Sequence, residues 1–161
     1  MTHRRWRWVG LVGSLMLAGA VAGCSGGGDH DDGHHASGCV LVGEQEPNAT
    51  RLTAQFLGDL LVDDCVAVAG NLFDPLDVDS YRVVLQESLD LVVTVDHSPF
   101  VDFDIQIFEA ETGRLISDCG SNVVPEVCVV PFAVGAGDVA IDIVITSFVG
   151  AGTYTLTLDA Q

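Results

Sequence analysis

From Val66 to the C terminus, apolar and polar residues alternate with a period of two. The clearest apolar rows are Leu89, Leu91, Val93 and Val95; Phe103, Ile105 and Ile107; Val139, Ile141, Ile143 and Ile145; and Tyr154, Leu156 and Leu158. Successive side chains of a β-strand point to opposite faces, whereas a helix needs apolar residues three and four positions apart. The spacing therefore predicts strands with one face in a core and the other in water.

Short glycine-containing turns separate these apolar rows. Residues 111–113, 135–137 and 150–152 read Glu-Thr-Gly, Gly-Ala-Gly and Gly-Ala-Gly. The pattern gives about eight strands at the spacing typical of sandwiches, with no long amphipathic helix. Residues 50–61 have mixed apolar spacing and are interpreted as extended segments and a turn. The sequence thus predicts an all-β, antiparallel β-sandwich.

The first 23 residues have the three parts of an export signal. Arg4, Arg5 and Arg7 form a positive start, and the apolar stretch from Val9 to Ala22 is too short to be assigned as a membrane span. Residues 21–24, Val-Ala-Gly-Cys, resemble the lipobox of bacterial lipoproteins, which implies lipidation of Cys24 and cleavage before it. The alternative is an ordinary secretory signal followed by a chance cysteine. The predicted boundaries are a signal peptide at 1–23, a lipidated tether at 24–38 and a β-sandwich domain at 39–161.

The five cysteines fit this interpretation, since an odd number leaves one unpaired in an oxidising compartment. Assigning Cys24 to lipid leaves four, which allow three pairings. We favour Cys39–Cys65, pinning the start of the domain to its first hairpin, and Cys119–Cys128, closing a short loop between neighbouring strands. A zinc site is the other use of four cysteines, but no pair has the usual two-to-four-residue spacing.

The charge balance restricts the partners. Three of the six basic residues lie in the leader, so the rest of the chain has three arginines and no lysine against 23 acidic residues. Such a surface repels phosphate backbones, which excludes nucleic acid as a partner. Cations, basic surfaces and neutral ligands remain. The acidity also has a simpler interpretation, namely that it keeps an exported protein soluble.

Residues 25–38 are a glycine- and serine-rich tether that also carries His30, His34 and His35 beside three aspartates. Glycine and serine make such a segment flexible. Imidazole suits zinc, copper and nickel, so the tract is a candidate for transition-metal binding. The alternative is a solvated linker.

The order of short motifs resembles the bacterial pre-peptidase C-terminal domain over roughly residues 41–160. These motifs are Glu-Gln-Glu-Pro-Asn at 44–48, Val-Ala-Gly-Asn-Leu at 68–72, Asp-Val-Asp-Ser-Tyr at 77–81, Asp-Phe-Asp-Ile-Gln-Ile-Phe at 102–108 and Gly-Ala-Gly-Thr-Tyr-Thr-Leu at 150–156. The resemblance implies a jelly-roll-like β-sandwich that is not catalytic, usually follows a secreted protease and in some members binds calcium or collagen. Here a lipid anchor stands in place of the protease.

A calcium site is the sharpest functional hypothesis, because this ion takes six to eight oxygen ligands. In an extended segment, alternate residues share a face. This groups the side chains of Glu44, Glu46 and Asn48 in one segment and those of Asp77 and Asp79 in another. In calcium-binding relatives, the acidic N-terminal segment folds against the loop before the strand with the Asp-x-Asp-x-Tyr motif. The resemblance therefore nominates Glu44, Glu46, Asn48, Asp77 and Asp79. One departure is Ala49, where such relatives often have an acidic residue.

Catalytic motifs are missing from the sequence. The consecutive Asp96, His97 and Ser98 do not converge as a triad and are interpreted as a turn, and Asp102 with Asp104 as a solvated strand face. We therefore expect a non-enzymatic module of the bacterial cell envelope, lipid-anchored and assigned to the outer membrane, with calcium as a possible cofactor and a protein or polysaccharide as ligand. The alternative is an envelope lipoprotein that binds transition metals through its histidine-rich tether.

Overall fold

The computed structural model describes residues 38–161, and this part of the chain consists of strands joined by turns and loops. Ten strands form two five-stranded sheets packed as a sandwich. They are β1 (Val40–Gly43), β2 (Gln55–Leu60), β3 (Cys65–Leu72), β4 (Val78–Leu85), β5 (Leu89–His97), β6 (Asp102–Glu109), β7 (Leu115–Cys119), β8 (Glu126–Phe132), β9 (Val139–Val149) and β10 (Gly152–Ala160). The predicted all-β sandwich is confirmed. Among the described residues, no helix has the length and apolar character needed to cross a membrane.

The first sheet has the order β1-β3-β10-β5-β8 and the second the order β2-β4-β9-β6-β7. All pairings are antiparallel except β1 with β3 and β2 with β4, which are parallel. The sequence predicted only antiparallel pairs and about eight strands. The additional strands are β1 and β2, which lie in different sheets. β1 does not pair with β2, and β2 does not pair with β3. Instead β1 runs parallel to β3 in the first sheet, and β2 runs parallel to β4 in the second.

The period-two rows form the core. The inward positions of β5, β6, β9 and β10 are buried, including Phe103, Ile105, Ile143 and Leu156 at no exposure. Burying each such side chain stabilises the fold by about 1.5–3 kcal/mol. The predicted core rows are therefore confirmed. Their packing fixes how the two sheets lie against each other and where the strand ends fall.

One outward row departs from the pattern, because Asp142 and Val144 of β9 are buried as well. The chain between β1 and β2 (residues 44–54, here the β1–β2 connection) is bonded to the outer face of the second sheet. The backbone N–H of Ser80 donates to the carbonyl of Asn48 (3.0 Å), and Arg82 donates to the carbonyl of Arg51 (3.0 Å). The two side chains of β9, which alternation alone assigns to solvent, thus lie beneath a covered part of the sheet.

Both favoured disulfides are present. Cys39 directly precedes β1 and Cys65 begins β3, so the first bond fastens a parallel strand pair rather than a hairpin. Cys119 ends β7 in the second sheet, whereas Cys128 lies on β8 in the first. The second bond therefore joins the two sheets at one edge of the sandwich, and not neighbouring strands of one sheet. Two disulfides are typical of a protein outside the cytoplasm.

Candidate metal centre

The β1–β2 connection begins by turning three polar side chains towards β4. The chain is held at its start by Gln55, which donates to the carbonyl of Gly43 (3.0 Å) and accepts from the N–H of Gln45 (2.8 Å). The N–H of Asn48 donates to the Glu46 carboxylate (2.8 Å), and its side-chain amide donates to Glu44 (3.2 Å). These bonds fix the alternating segment that the sequence singled out.

Three carboxylates meet where this segment reaches the second sheet. One oxygen each from Glu44, Glu46 and Asp79 lie within 4.8 Å of one another. Asp79 stands near the start of β4 and has no exposed surface, whereas Glu46 is exposed. Carboxylates this close repel one another unless a proton or a cation reduces their charge.

The electrostatics of Asp79 follow from this crowding. Burial is the largest cause that raises its pKa, followed by the contact with Glu44, while a hydrogen bond from Tyr154 opposes the shift. The result is a pKa of about 8 in place of the ordinary 3.8. Near neutral pH, Asp79 thus holds a proton that a cation could displace.

Two buried oxygens at this centre have no hydrogen-bond partner among the described residues, namely Asn48 Oδ1 and Asp79 Oδ1. Leaving a buried acceptor unpaired costs about 1–3 kcal/mol. Both atoms are of the amide and carboxylate kinds that calcium prefers, and Asp79 stands beside two further carboxylates. The donor set therefore fits a hard cation.

Two tyrosines join the centre to the core. The hydroxyls of Tyr81 on β4 and Tyr154 on β10 lie 2.7 Å apart and so link the two sheets. Tyr154 donates its one hydroxyl proton to Asp79 (2.5 Å), so the proton between the two phenols comes from Tyr81, whose oxygen also lies 3.2 Å from Glu44 Oε1. Burial, above all, raises the pKa of both phenols, which stay protonated and act as donors. In the sequence these tyrosines marked only strands, although a buried tyrosine hydroxyl needs a partner and so signals a polar contact in the core.

Asp77 is placed differently from the other four nominated residues. Its carboxylate accepts the N–H of Phe73 (2.7 Å) and that of Val78 (3.0 Å), so both oxygens hold the turn before β4. Its charge contributes to the raised pKa of Asp79, yet it does not belong to the three-carboxylate cluster. The structure thus brings Glu44, Glu46, Asn48 and Asp79 together and sets Asp77 beside them.

The other residues singled out in the sequence fall into two groups, one outside the described residues and one at the end of β5. Cys24, His30, His34 and His35 lie outside the described residues. His97 is buried against Phe103, with ring centroids 4.9 Å apart, and its Nδ1 lies 3.0 Å from the carbonyl of Ser98. Asp96 and His97 are the last two residues of β5 and only Ser98 lies beyond it, so the interpretation of the whole run as a turn was wrong by two residues, and the turn falls at Pro99 and Phe100.

Comparison with known proteins supports the fold. The pre-peptidase C-terminal domain of a collagenase from Bacillus anthracis is 13% identical, with a TM-score of 0.50, covering 67% of this chain and 94% of that one. A periplasmic inhibitor of g-type lysozyme from Aeromonas hydrophila is 10% identical, with a TM-score of 0.45 over 67% of this chain and 99% of that one. No protein-family model and no curated protein matches the chain. The resemblance to the pre-peptidase C-terminal domain is confirmed, and it is a resemblance of fold.

Proposed function

We propose that this chain is a non-catalytic binding or structural module of the bacterial cell envelope, stabilised by calcium at the centre formed by Glu44, Glu46, Asn48 and Asp79. The observation that carries the calcium assignment is the meeting of three carboxylates, one of them with a buried, unpartnered oxygen on Asp79, beside the buried Asn48 amide that bonds to Glu44. Asp77 supports the site through its charge and its turn.

Calcium would serve the fold by joining parts of the chain that repel one another without it. Three ligands belong to the β1–β2 connection, which runs from the first sheet to the second, and Asp79 belongs to β4. A cation between them replaces the proton on Asp79 and turns mutual repulsion into attraction. Extracellular modules bind calcium at about 10⁻⁴–10⁻³ M, so millimolar calcium is the appropriate range to test.

The test is thermal unfolding of the chain with its disulfides intact, in excess calcium and then in chelator. Calcium at 100 times its dissociation constant adds about 2.7 kcal/mol, a Tm increase of several degrees for a domain of this size. Glu46→Gln and Asp79→Asn should remove the increase. Glu111→Gln, an exposed carboxylate in a turn, should leave it intact. Equal Tm values in calcium and chelator would refute the calcium assignment.

The proposed location in the cell envelope is supported by the sequence of the leader and by the two disulfides. We propose that Cys24 carries the lipid, that the domain is tethered to the outer membrane and that its ligand is a protein or a polysaccharide. Labelling with radioactive palmitate in a bacterial host should mark the wild-type chain and not Cys24→Ser. Label retained in that variant would refute the anchor while leaving the calcium test unaffected.

Transition-metal binding by the tether stays a separate proposal with its own test. Zinc or nickel binding that disappears on deletion of residues 29–35 would support it. Binding that survives the deletion would assign the metal to the domain instead.

A further inference from the structure

Exposed apolar side chains gather at the end of the sandwich where β5 leads into β6. Phe100 is 90% exposed in the β5–β6 connection, and Phe148 is 73% exposed near the end of β9. Val149, also exposed, pairs with Asp102 across β9 and β6. Apolar surface of this kind, rimmed by polar residues, marks an interaction site. The aromatic–acidic patch is defined here as Phe100, Phe148 and Val149 with Asp102 and Asp104.

Two small grooves adjoin within this patch and share Asp102 and Asn122 in their walls. One has a volume of about 230 Å³ and is lined by Phe100 and Val149. The other has a volume of about 270 Å³ and is lined by Phe148 and Asp104. Small-molecule pockets usually measure about 300–1,000 Å³. The grooves are therefore of a size to admit single side chains of a polypeptide.

The patch is negatively charged and lacks an internal counter-ion. Burial raises the pKa of Asp104, and the charges of Asp102, Glu126 and Asp118 raise it further. The ion pairs of the described residues lie elsewhere, at Asp142 and at Glu109. A cationic group entering the grooves would therefore meet carboxylates that have no competing partner.

The loop that forms one wall of the grooves is held rigidly. The Cys119–Cys128 disulfide closes its base, and Ser121 donates through its N–H (3.1 Å) and its hydroxyl (2.8 Å) to the buried Glu126. A Cβ on Gly120 would lie 2.5 Å from Asp104 Oδ1, so the Asp104 carboxylate packs directly against the backbone of this loop. A preformed surface loses little conformational entropy on binding.

We propose that the aromatic–acidic patch binds an arginine-bearing segment of a basic partner protein, with apolar residues between its arginines. The chain carries a net charge of −17, which disfavours a second copy, an anionic membrane and nucleic acid at this surface. The grooves take apolar side chains, and the carboxylates beside Phe100 and Phe148 attract a guanidinium.

The same arrangement already occurs once within the chain. The guanidinium of Arg51 lies 4.6 Å from the ring centroid of Phe108 and 4.0 Å from the Asp142 carboxylate. Arginine over an aromatic face beside a carboxylate is thus a contact that this fold uses, and cation–π attraction favours it. The patch offers the aromatic and the carboxylate without the arginine.

The test is a titration of the ¹⁵N-labelled chain with the peptide acetyl-Arg-Leu-Arg-Leu-Arg-Leu-amide, followed by chemical-shift mapping. We expect the largest shifts at Phe100, Asn122 and Phe148. Phe100→Ser with Phe148→Ser should weaken binding about tenfold or more, and Asp104→Asn about fivefold. Peptides with glutamate for arginine, or glycine for leucine, should bind much more weakly.

Matched variants make the result specific. Phe73 is exactly as exposed as Phe148, at 73%, but lies outside the patch, so Phe73→Ser should leave peptide binding unchanged. Asp96→Asn is the corresponding control for charge, and Glu46→Gln separates this surface from the calcium centre. Equal weakening by Phe73→Ser, shifts centred elsewhere, or patch-dependent binding of lipid vesicles in place of the peptide would overturn the proposal.

Discussion

Asp79 and Asp142 are both completely buried on neighbouring strands of the second sheet, yet their surroundings are opposite. Asp142, on the outer face, receives two bonds from Arg82, at 2.7 and 3.1 Å. Asp79, on the inner face, meets Glu44 and has one oxygen without a partner. Removing a charge from water is costly unless an opposite charge compensates it. Asp142 is thus a completed ion pair, whereas Asp79 has no positively charged partner among the described residues.

The largest difference between Asp79 and Asp142 should appear in how the free energy of unfolding depends on pH. The pKa of Asp79 is about 8 in the folded chain and near 3.8 when unfolded, so between these values the folded state holds a proton that the unfolded state has lost. The contribution of Asp79 to the free energy of unfolding is fully present below pH 4. It decreases as the pH rises to 8, by at most about 1.4 kcal/mol per pH unit. Denaturant unfolding in chelator should show this slope relative to Asp79→Asn. Parallel profiles would contradict the raised pKa.

Breaking the Asp142 pair should cost about 3 kcal/mol at neutral pH. Arg82→Met keeps much of the side-chain volume but leaves the Asp142 carboxylate buried with only Arg51 nearby, at 4.0 Å. Urea unfolding with and without calcium should show the same loss in both conditions. Arg114→Met, which removes an exposed partner of Glu109, should leave stability close to that of the wild type. A loss that calcium restores would contradict the separation of the two aspartates.

Tyr154→Phe should have a smaller effect, about 1–3 kcal/mol, because Asp79 loses its donor while the ring stays packed. The hydroxyl of Tyr154 bonds to Asp79 and touches that of Tyr81. Thermal unfolding measures the loss, and a calcium titration should show weaker binding. Unchanged stability and affinity together would show that the tyrosine link between the sheets contributes nothing to the centre.

The smallest effect should come from Arg51→Ala, about 0.5–1 kcal/mol. Its guanidinium is partly exposed, with a cation–π contact to Phe108 and a distant ion pair to Asp142. Urea unfolding should resolve a loss well below that of Arg82→Met. A loss equal to that of Arg82→Met would mean that Asp142 depends on both arginines alike.

The sequence predicted the sandwich well because alternation reports directly on which side of a strand is buried. The rows of β5, β6, β9 and β10 were all found in the core. Alternation failed at Asp142 and Val144, because their burial depends on the β1–β2 connection, which is distant in sequence. It also gave no signal for β1, which has four residues, and only an extended segment within residues 50–61 for β2, whose register shifts between Phe56 and Gly58.

The candidate centre was predicted in part for a related reason. Period-two spacing placed Glu44, Glu46 and Asn48 together, since they lie in one extended segment. The motif resemblance added Asp77 and Asp79, but sequence spacing does not distinguish a carboxylate that holds a turn from one that faces the cluster. Tyr81 and Tyr154 come from different sheets, 73 residues apart, and only the packing of the sandwich joins them.

The Cys39–Cys65 disulfide has a mechanical consequence. A pull on the chain N-terminal to residue 38 enters the domain at Cys39, and the covalent bond transmits it to Cys65 at the start of β3. The force therefore does not act on β1. Without the disulfide, the four residues of β1 would separate from β3 one hydrogen bond at a time. Glu44, Glu46 and Asn48 lie within the loop that this bond closes, whereas Asp79 lies outside it on β4. A load applied at the N-terminal end of the domain therefore reaches β3 without passing through Glu44, Glu46 or Asn48.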